Sequence, residues 1–201
     1  MKILIAGASG GIGRYLTKEF DIKENHLYLT YNTSKEKVYK TKNAISTEVF
    51  KVDFTKYEEV KDMFSKIGAL DVLINVMGHV ENNLISRMTE HEWDRVIASN
   101  LKSVFLSCRH GIKKIGENGH IINISSVLGS TGMIGATNYV AAKGGIEAFT
   151  KSFALECLNR KRVFVNAIAL GYFKIGMGLE LSEKIEDMII EKIPLKLNKV
   201  L

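Results

Sequence analysis

The chain has 201 residues, 46% hydrophobic and 25% charged, with a formal net charge of +6. These values suit one globular domain spanning 1–201, and no stretch approaches the 18 or so apolar residues that a membrane span needs. The basic residues are scattered through 35–42, 113–114 and 160–162 without interleaved aromatics, which argues against nucleic acid and for an anionic cofactor or an acidic protein partner.

In chain order the sequence predicts strands alternating with helices. KILIA (2–6) is a short apolar strand that runs straight into glycines, too short for the apolar core of a signal peptide. Residues 11–20 form a helix with Ile12, Leu16 and Phe20 on one face, 26–32 a second strand and 34–43 a short polar helix. A third strand covers 47–53, and a helix over 55–67 sets Val60, Phe64 and Ile67 at helical spacing. DVLINV (71–76) is a near-continuous apolar run, as expected of a strand buried on both faces. A long helix over 89–115 carries Trp93, Ile97, Leu101 and Phe105 in register; a strand (120–126), a long helix (136–159) and a sixth strand (162–169) follow. The alternation predicts an α/β doubly wound parallel sheet, and the right-handed crossover rule favours the strand order 3-2-1-4-5-6.

The first strand ends in GASGGIG, with Gly7, Ser9, Gly10, Gly11, Ile12 and Gly13 in the turn. Such a turn lets backbone approach a pyrophosphate at a helix N-terminus, although it could also serve only to pack the helix. Its place at the first strand-to-helix turn favours dinucleotide binding. The second strand leads into Asn32-Thr33-Ser34-Lys35, with no acid before Glu36. An acid there would bond the ribose 2′-hydroxyl of NAD; hydroxyls and a lysine suit the 2′-phosphate of NADPH, while Ser34 would also cap a helix. YVAAK places Tyr139 and Lys143 on one helical face, where the cation is expected to lower the pKa of the phenol and make it an acid–base group. Taken alone, that pair fits an ordinary helix better, with Tyr139 on its buried edge and Lys143 solvated. Cys108 and Cys157 read as small apolar residues, the expectation being a reduced, cytoplasmic protein. The five histidines show no metal-ligand spacing.

Together these motifs resemble the short-chain dehydrogenase/reductase family, from residue 1 to about residue 198. The resemblance implies a Rossmann-type fold and a nicotinamide cofactor held also by Asp53 and Phe54 near adenine, by the Asn75-Val76-Met77-Gly78 segment, and by Gly171. It implies a catalytic set of Asn100, Ser126, Tyr139 and Lys143, with Ser126 chosen over Ser125 because it lies thirteen residues before Tyr139. In that set tyrosine protonates a carbonyl oxygen held by serine, lysine tunes the tyrosine and holds the nicotinamide ribose, and asparagine supports a proton path. Within the family, the stretches 82–105 and 138–156 most resemble reductases of 3-oxoacyl thioesters on acyl carrier protein, which use NADPH in fatty-acid synthesis. Arg160 matches a carrier-docking arginine; Glu117 stands at the other docking position with the wrong sign, and Lys113 and Lys114 are close enough to compensate. Leu170 replaces a usual proline and Ile175 a usual threonine. The same residues would serve a reductase of a free ketone, sugar or alcohol, or a catalytically idle cofactor-binding protein.

The long helices 89–115 and 136–159 resemble those that pair subunits into dimers or tetramers. Family members continue with a further helix and strand past the point where this chain stops at Leu201. The expectation is six strands with the last at an exposed edge, a weakly supported substrate lid around 171–193, and a tetramer weakened to a dimer.

Overall fold

Burial on both faces turns the apolar runs into the centre of a sheet. In the computed structural model, which describes residues 1–40, 46–173, 175–176 and 190–191, Ile3 to Ala6 of β1 (Lys2–Ala6) are fully shielded. Ile3 and Ile5 join one apolar cluster, Leu4 and Ala6 another, as strand alternation requires. Beside β1 lie β2 (His26–Tyr31) and β4 (Leu70–Asn75); outside them are β3 (Thr47–Lys51) on one side, β5 (Ile115–Ser126) and then β6 (Phe164–Leu170) on the other. All pairings are parallel, in the expected order 3-2-1-4-5-6.

Helices form the crossovers. α1 (Gly11–Phe20) and α2 (Lys35–Tyr39) cover one face through Leu16, Phe20 and Val38. The other face takes α3 (Tyr57–Lys66), then α4 (Glu90–Ile97) leading to α5 (Ser103–Gly111). After the short α6 (Leu128–Thr131), α7 (Thr137–Lys161) packs there as well. Val60, Phe64, Val104, Cys108 and Ile146 fill that second layer. Thr89 caps α4 by accepting from Glu92 N, while the Glu92 carboxylate accepts from Thr89 N. Among the described residues no helix is long and apolar enough to cross a membrane.

Three elements depart from the expected pattern. The helix predicted over 89–115 is broken by a π turn at Ala98–Lys102, which inserts an extra residue between hydrogen bonds and aims Asn100 inward. The row facing the sheet is therefore Val96, Asn100, Val104 and Cys108, while Trp93 and Phe105 are 37% and 42% exposed. Two adjacent rows are apolar, and periodicity alone could not tell which faces inward. β5 starts at Ile115, five residues early, with its register against β4 shifting between Leu70 and Val72 and Asn118 in the left-handed region. α2 ends at Tyr39, and 41–45 lie outside the described residues.

The carboxyl ends of β1, β2, β4, β5 and β6 share one edge of the sheet, and the strand order reverses between β1 and β4. In such sheets the crevice at that reversal is where ligands bind.

Away from that edge, His110 of α5 packs against the rings of Tyr57 and Phe64, with Nε2 buried and lacking a hydrogen-bond partner among the described residues. Burial, then the charges of Lys113 and Arg109, push its pKa down. The unfolded chain binds this proton more readily, so stability is full above the ordinary imidazole value and is lost as pH falls below it. His110→Phe is expected to lose less thermal stability than the parent between about pH 7.5 and about pH 5.5, across the ordinary imidazole value of about 6.5. Equal losses in a melting series would show that His110 does not carry the acid sensitivity.

Candidate active site

A cavity of about 790 Å³ opens at the strand-order reversal, lined by Gly7, Ser9 and Gly10 of the glycine turn. The end of β2 (Thr30 to Thr33), Val52 to Thr55, Val76 to His79, and the α4 side from His91 to Ser103 complete its wall. Gly7 adopts φ +96°, and a Cβ there would stand 3.0 Å from Met77 N. Thr30 pins the turn: its buried Oγ1 accepts from Gly7 N at 2.9 Å. No side chain caps the N-terminus of α1 and no acid lies in its first turn, which leaves it suited to an anion. Past β6 the chain folds back onto this turn. A Cβ on Gly11 would meet Gly176 Cα at 2.5 Å, so the residues around Ile175 touch the glycine loop.

The second half of the site sits at the end of β5 and the start of α7. Ser126 is the last residue of β5, and its Oγ accepts from Leu128 N at 3.2 Å. Its hydroxyl also lies close enough to the Tyr139 phenol to favour the phenolate. Ser125 faces the other way, donating to Lys143 O and to the Glu147 carboxylate, so the strand's alternation presents only Ser126 to the phenol. Lys143 is 4% exposed, donates to Ile124 O at 2.8 Å, and stands 5.5 Å from the Tyr139 ring centroid. Asn100 Nδ2 donates to His79 O at 2.7 Å and to Val96 O at 2.9 Å, while Oδ1 is buried with no hydrogen-bond partner among the described residues. A Cβ on Gly78 would lie 2.8 Å from Asn100 Oδ1 and 3.9 Å from Lys143 Nζ, so both groups converge on that glycine.

The electrostatics correct one expectation. Burial pushes the Tyr139 phenol up, and the Ser126 hydroxyl opposes that shift. Burial also pushes Lys143 down, to about 8. Desolvation acts on both groups at once, an effect that a spacing of four residues cannot reveal.

The cavity gathers Gly7, Ser9, Gly10, Asn32, Thr33, Asp53, Phe54 and Gly78 of the expected cofactor residues. Gly11, Ile12 and Gly13 form the first turn of α1 behind it. Ser34 and Lys35 stand apart at the start of α2, where Ser34 makes no side-chain cap and Lys35 Nζ lies over the Tyr39 ring. Asn75 is not at the cavity. Its side chain is buried, donating to Asn123 Oδ1 at 2.8 Å and accepting from Ser107 Oγ at 2.6 Å, because the strand turns it into the sheet. Gly171 follows β6, and among the described residues nothing packs near its Cβ position. Of the docking residues, Lys113 is exposed, but Lys114 is committed to Ile67 O at 2.8 Å. The Arg160 side chain and most of the expected lid lie outside the described residues. Sequence reasoning missed Thr30 and Asn138. Asn138 is fully buried beside Tyr139 and donates to Glu81 O at 3.0 Å. The polar position in an otherwise apolar β2 was the available signal for Thr30.

The short chain dehydrogenase family model matches residues 1–186. The chain belongs to that family. It is an NAD(P)-dependent oxidoreductase by that membership, and the buried unsatisfied Asn100 Oδ1 and the uncapped glycine turn fit such a cofactor. The 3-oxoacyl-(acyl-carrier-protein) reductase of Staphylococcus epidermidis is 38% identical over 209 residues, covering 96% of this chain and 83% of that protein. The protein of the same name from Rickettsia felis is 36% identical over 196 residues, covering 96% and 80%. Among solved structures, a dehydrogenase/reductase from Sinorhizobium meliloti shares the fold at TM-score 0.88 and 23% identity, over 97% of this chain and 81% of that one. BdcA in complex with NADPH superposes at TM-score 0.84 and 21% identity, over 93% and 76%.

Lys143 is a base held below its ordinary 10.5 at about 8. Protonating it costs more in the folded chain than in the unfolded one, so its penalty is full below pH about 8 and fades as pH rises towards 10.5. In the absence of cofactor, Lys143→Met is expected to melt at or above the parent at about pH 7, with the advantage shrinking above about pH 8. A variant clearly less stable than the parent at neutral pH would overturn this reading of the buried cation.

Proposed function

We propose that the chain reduces the 3-oxo group of an acyl thioester on acyl carrier protein to the 3-hydroxyl, as a cytoplasmic, NADPH-dependent step of fatty-acid synthesis. The observation that carries it is the convergence of the Ser126 and Tyr139 hydroxyls with Lys143 and Asn100 beside the cavity, in a chain 38% identical to a reductase named for that substrate. A nicotinamide cofactor held by the glycine turn and the cavity residues would supply the hydride. Ser126 donates to the substrate's carbonyl oxygen and holds it against the phenol. Tyr139 gives that oxygen its proton as negative charge develops there. Lys143, already held near neutrality by burial, restores the proton, and its ammonium gains stability from an anionic or hydroxyl-bearing cofactor laid over it. Asn100 turns its free Oδ1 toward the same place, which suits a group on the path between Lys143 and solvent.

NADPH over NADH is supported by Asn32 and Thr33 at the end of β2, where no carboxylate competes with a 2′-phosphate; the Asp53 carboxylate is occupied with Thr55 N and Oγ1. The net charge of +6 and exposed Lys113 suit an acidic carrier, with Arg160 near the end of α7 as a second contact. The two free cysteines, both buried, agree with a reducing compartment. The decisive assay is oxidation of NADPH with an acetoacetyl thioester. Tyr139→Phe should bind NADPH as the parent does yet turn over roughly 10²–10⁴-fold more slowly, the loss expected for a positioned proton donor. Activity within about tenfold of the parent would remove Tyr139 from the role. Equal dissociation constants for NADH and NADPH would refute the 2′-phosphate reading.

We further infer a dimer formed through the outer face of α4, α5 and α7. Trp93 and Phe105 stand partly exposed there, with Phe105 set edge-on to Phe149 and Phe149 stacked on Phe153. Sedimentation at micromolar concentration should give at least a dimer, and Phe105→Glu should shift it towards monomer. A monomeric parent would count against this face.

A further inference from the structure

Two loops that meet just ahead of Tyr139 display apolar side chains that the core does not use. Leu84 and Ile85 lie on one, Ile134 on the other, and Ile85 and Ile134 are 66% and 89% exposed. Hydrogen bonds stitch the loops together. Asn83 N donates to Gly135 O at 2.8 Å, so Leu84 and Ile134 each neighbour one end of the same bond. Arg87 N and Met88 N both donate to Leu84 O at 2.8 Å, closing a turn around Leu84 and Ile85. Asn138, next to Tyr139, ties the base of the first loop through Glu81 O. Gly132 and Gly135, at φ +77° and +78°, bracket Ile134 in left-handed conformations that an L side chain rarely adopts, which turns this short loop outward.

Single exposed apolar residues are ordinary, but several held in fixed positions at the mouth of a polar site mark a binding surface. The charge pattern narrows the occupant. Residues 127–139 contain no Asp, Glu, Lys, Arg or His, and 83–88 contain only Arg87. An acidic protein would gain little from such a surface, whereas an uncharged hydrocarbon loses its unfavourable contact with water there. Val127, the residue after Ser126, is also exposed and apolar.

We propose that Leu84, Ile85 and Ile134, continued by Val127, receive the substrate's alkyl chain beyond its reacting carbonyl and favour longer chains over the shortest. This rests on the reading of the site as a thioester reductase. A four-carbon acyl group ends near the hydroxyls and gains nothing from the rim, while each further methylene laid on it adds favourable burial.

The test compares N-acetylcysteamine thioesters of acetoacetate and of 3-oxodecanoate with the parent, Ile85→Ser, Ile134→Ser and the double variant. Both positions are exposed, and melting temperatures within a few degrees of the parent establish that the fold is kept. The double variant should lose about tenfold in kcat/KM for the ten-carbon substrate, mostly through KM, and stay within about twofold for the four-carbon one. Equal effects on both substrates, or none on either, overturn the rim while leaving the reductase reading intact. Failure of the parent to reduce either thioester overturns both. Conversion of a dimeric parent to monomer by these substitutions assigns the rim to a second copy of the chain and overturns its role in substrate choice.

Discussion

A lysine ammonium buried at the carboxyl end of a parallel sheet is the group around which this structure is arranged. Lys143 is 4% exposed and, among the described residues, has one acceptor, the carbonyl of Ile124. Burying a cation with so little compensation is unfavourable, and its depressed pKa expresses that cost. The surrounding packing keeps it there. Ser125 ties Lys143 O to β5, Gly129 of α6 packs so closely on Gly144 that a Cβ would stand 2.9 Å from its N, and the π turn brings Asn100 alongside. A group this costly is stable only because many cheaper interactions hold the helix that carries it.

Those interactions extend well below the site. Asn75, Asn123 and Ser107 bond one another across β4, β5 and α5, and Asn123 Nδ2 continues to Thr150 Oγ1 on α7 at 2.9 Å. All four are buried, so each bond lies where an unmade one would be expensive. The network fixes α7 against the sheet two turns beyond Lys143, and thereby the height at which Tyr139 meets Ser126. Asn75 contributes to the site from this distance, through α7 and not through the cofactor cavity.

The cavity depends on a second constraint, the close approach of backbone to backbone. Gly7 touches Met77 and Gly11 touches Gly176, so the turn, the end of β4 and the segment after β6 meet with no side chain between them. Thr30 adds the one side-chain bond that anchors the turn to β2. Together they shape one wall of the cavity, with the Ser126 and Tyr139 hydroxyls beyond it.

The parallel sheet, its order and most helix positions were legible in the sequence because both rest on local periodicity and on the crossover rule, which leave few alternatives. Strand alternation turns Ser125 away towards Lys143 O and leaves Ser126 on the Tyr139 side, the serine that the thirteen-residue spacing singles out as the proposed partner. The inward row of the 89–115 helix was not legible. Two neighbouring rows are apolar there, and the π turn that selects between them arises from packing and not from composition. Nor could a motif show that Asn75 points into the sheet or that Lys114 is spent on Ile67. The sequence by itself determined which residues share a strand or a helical face, because backbone geometry repeats along the chain. Only the tertiary structure decided how those residues are charged and where their hydrogen bonds go. Desolvation of Tyr139 and Lys143 depends on β5, α7 and the π turn being assembled around them, and no local pattern encodes how much water that assembly removes.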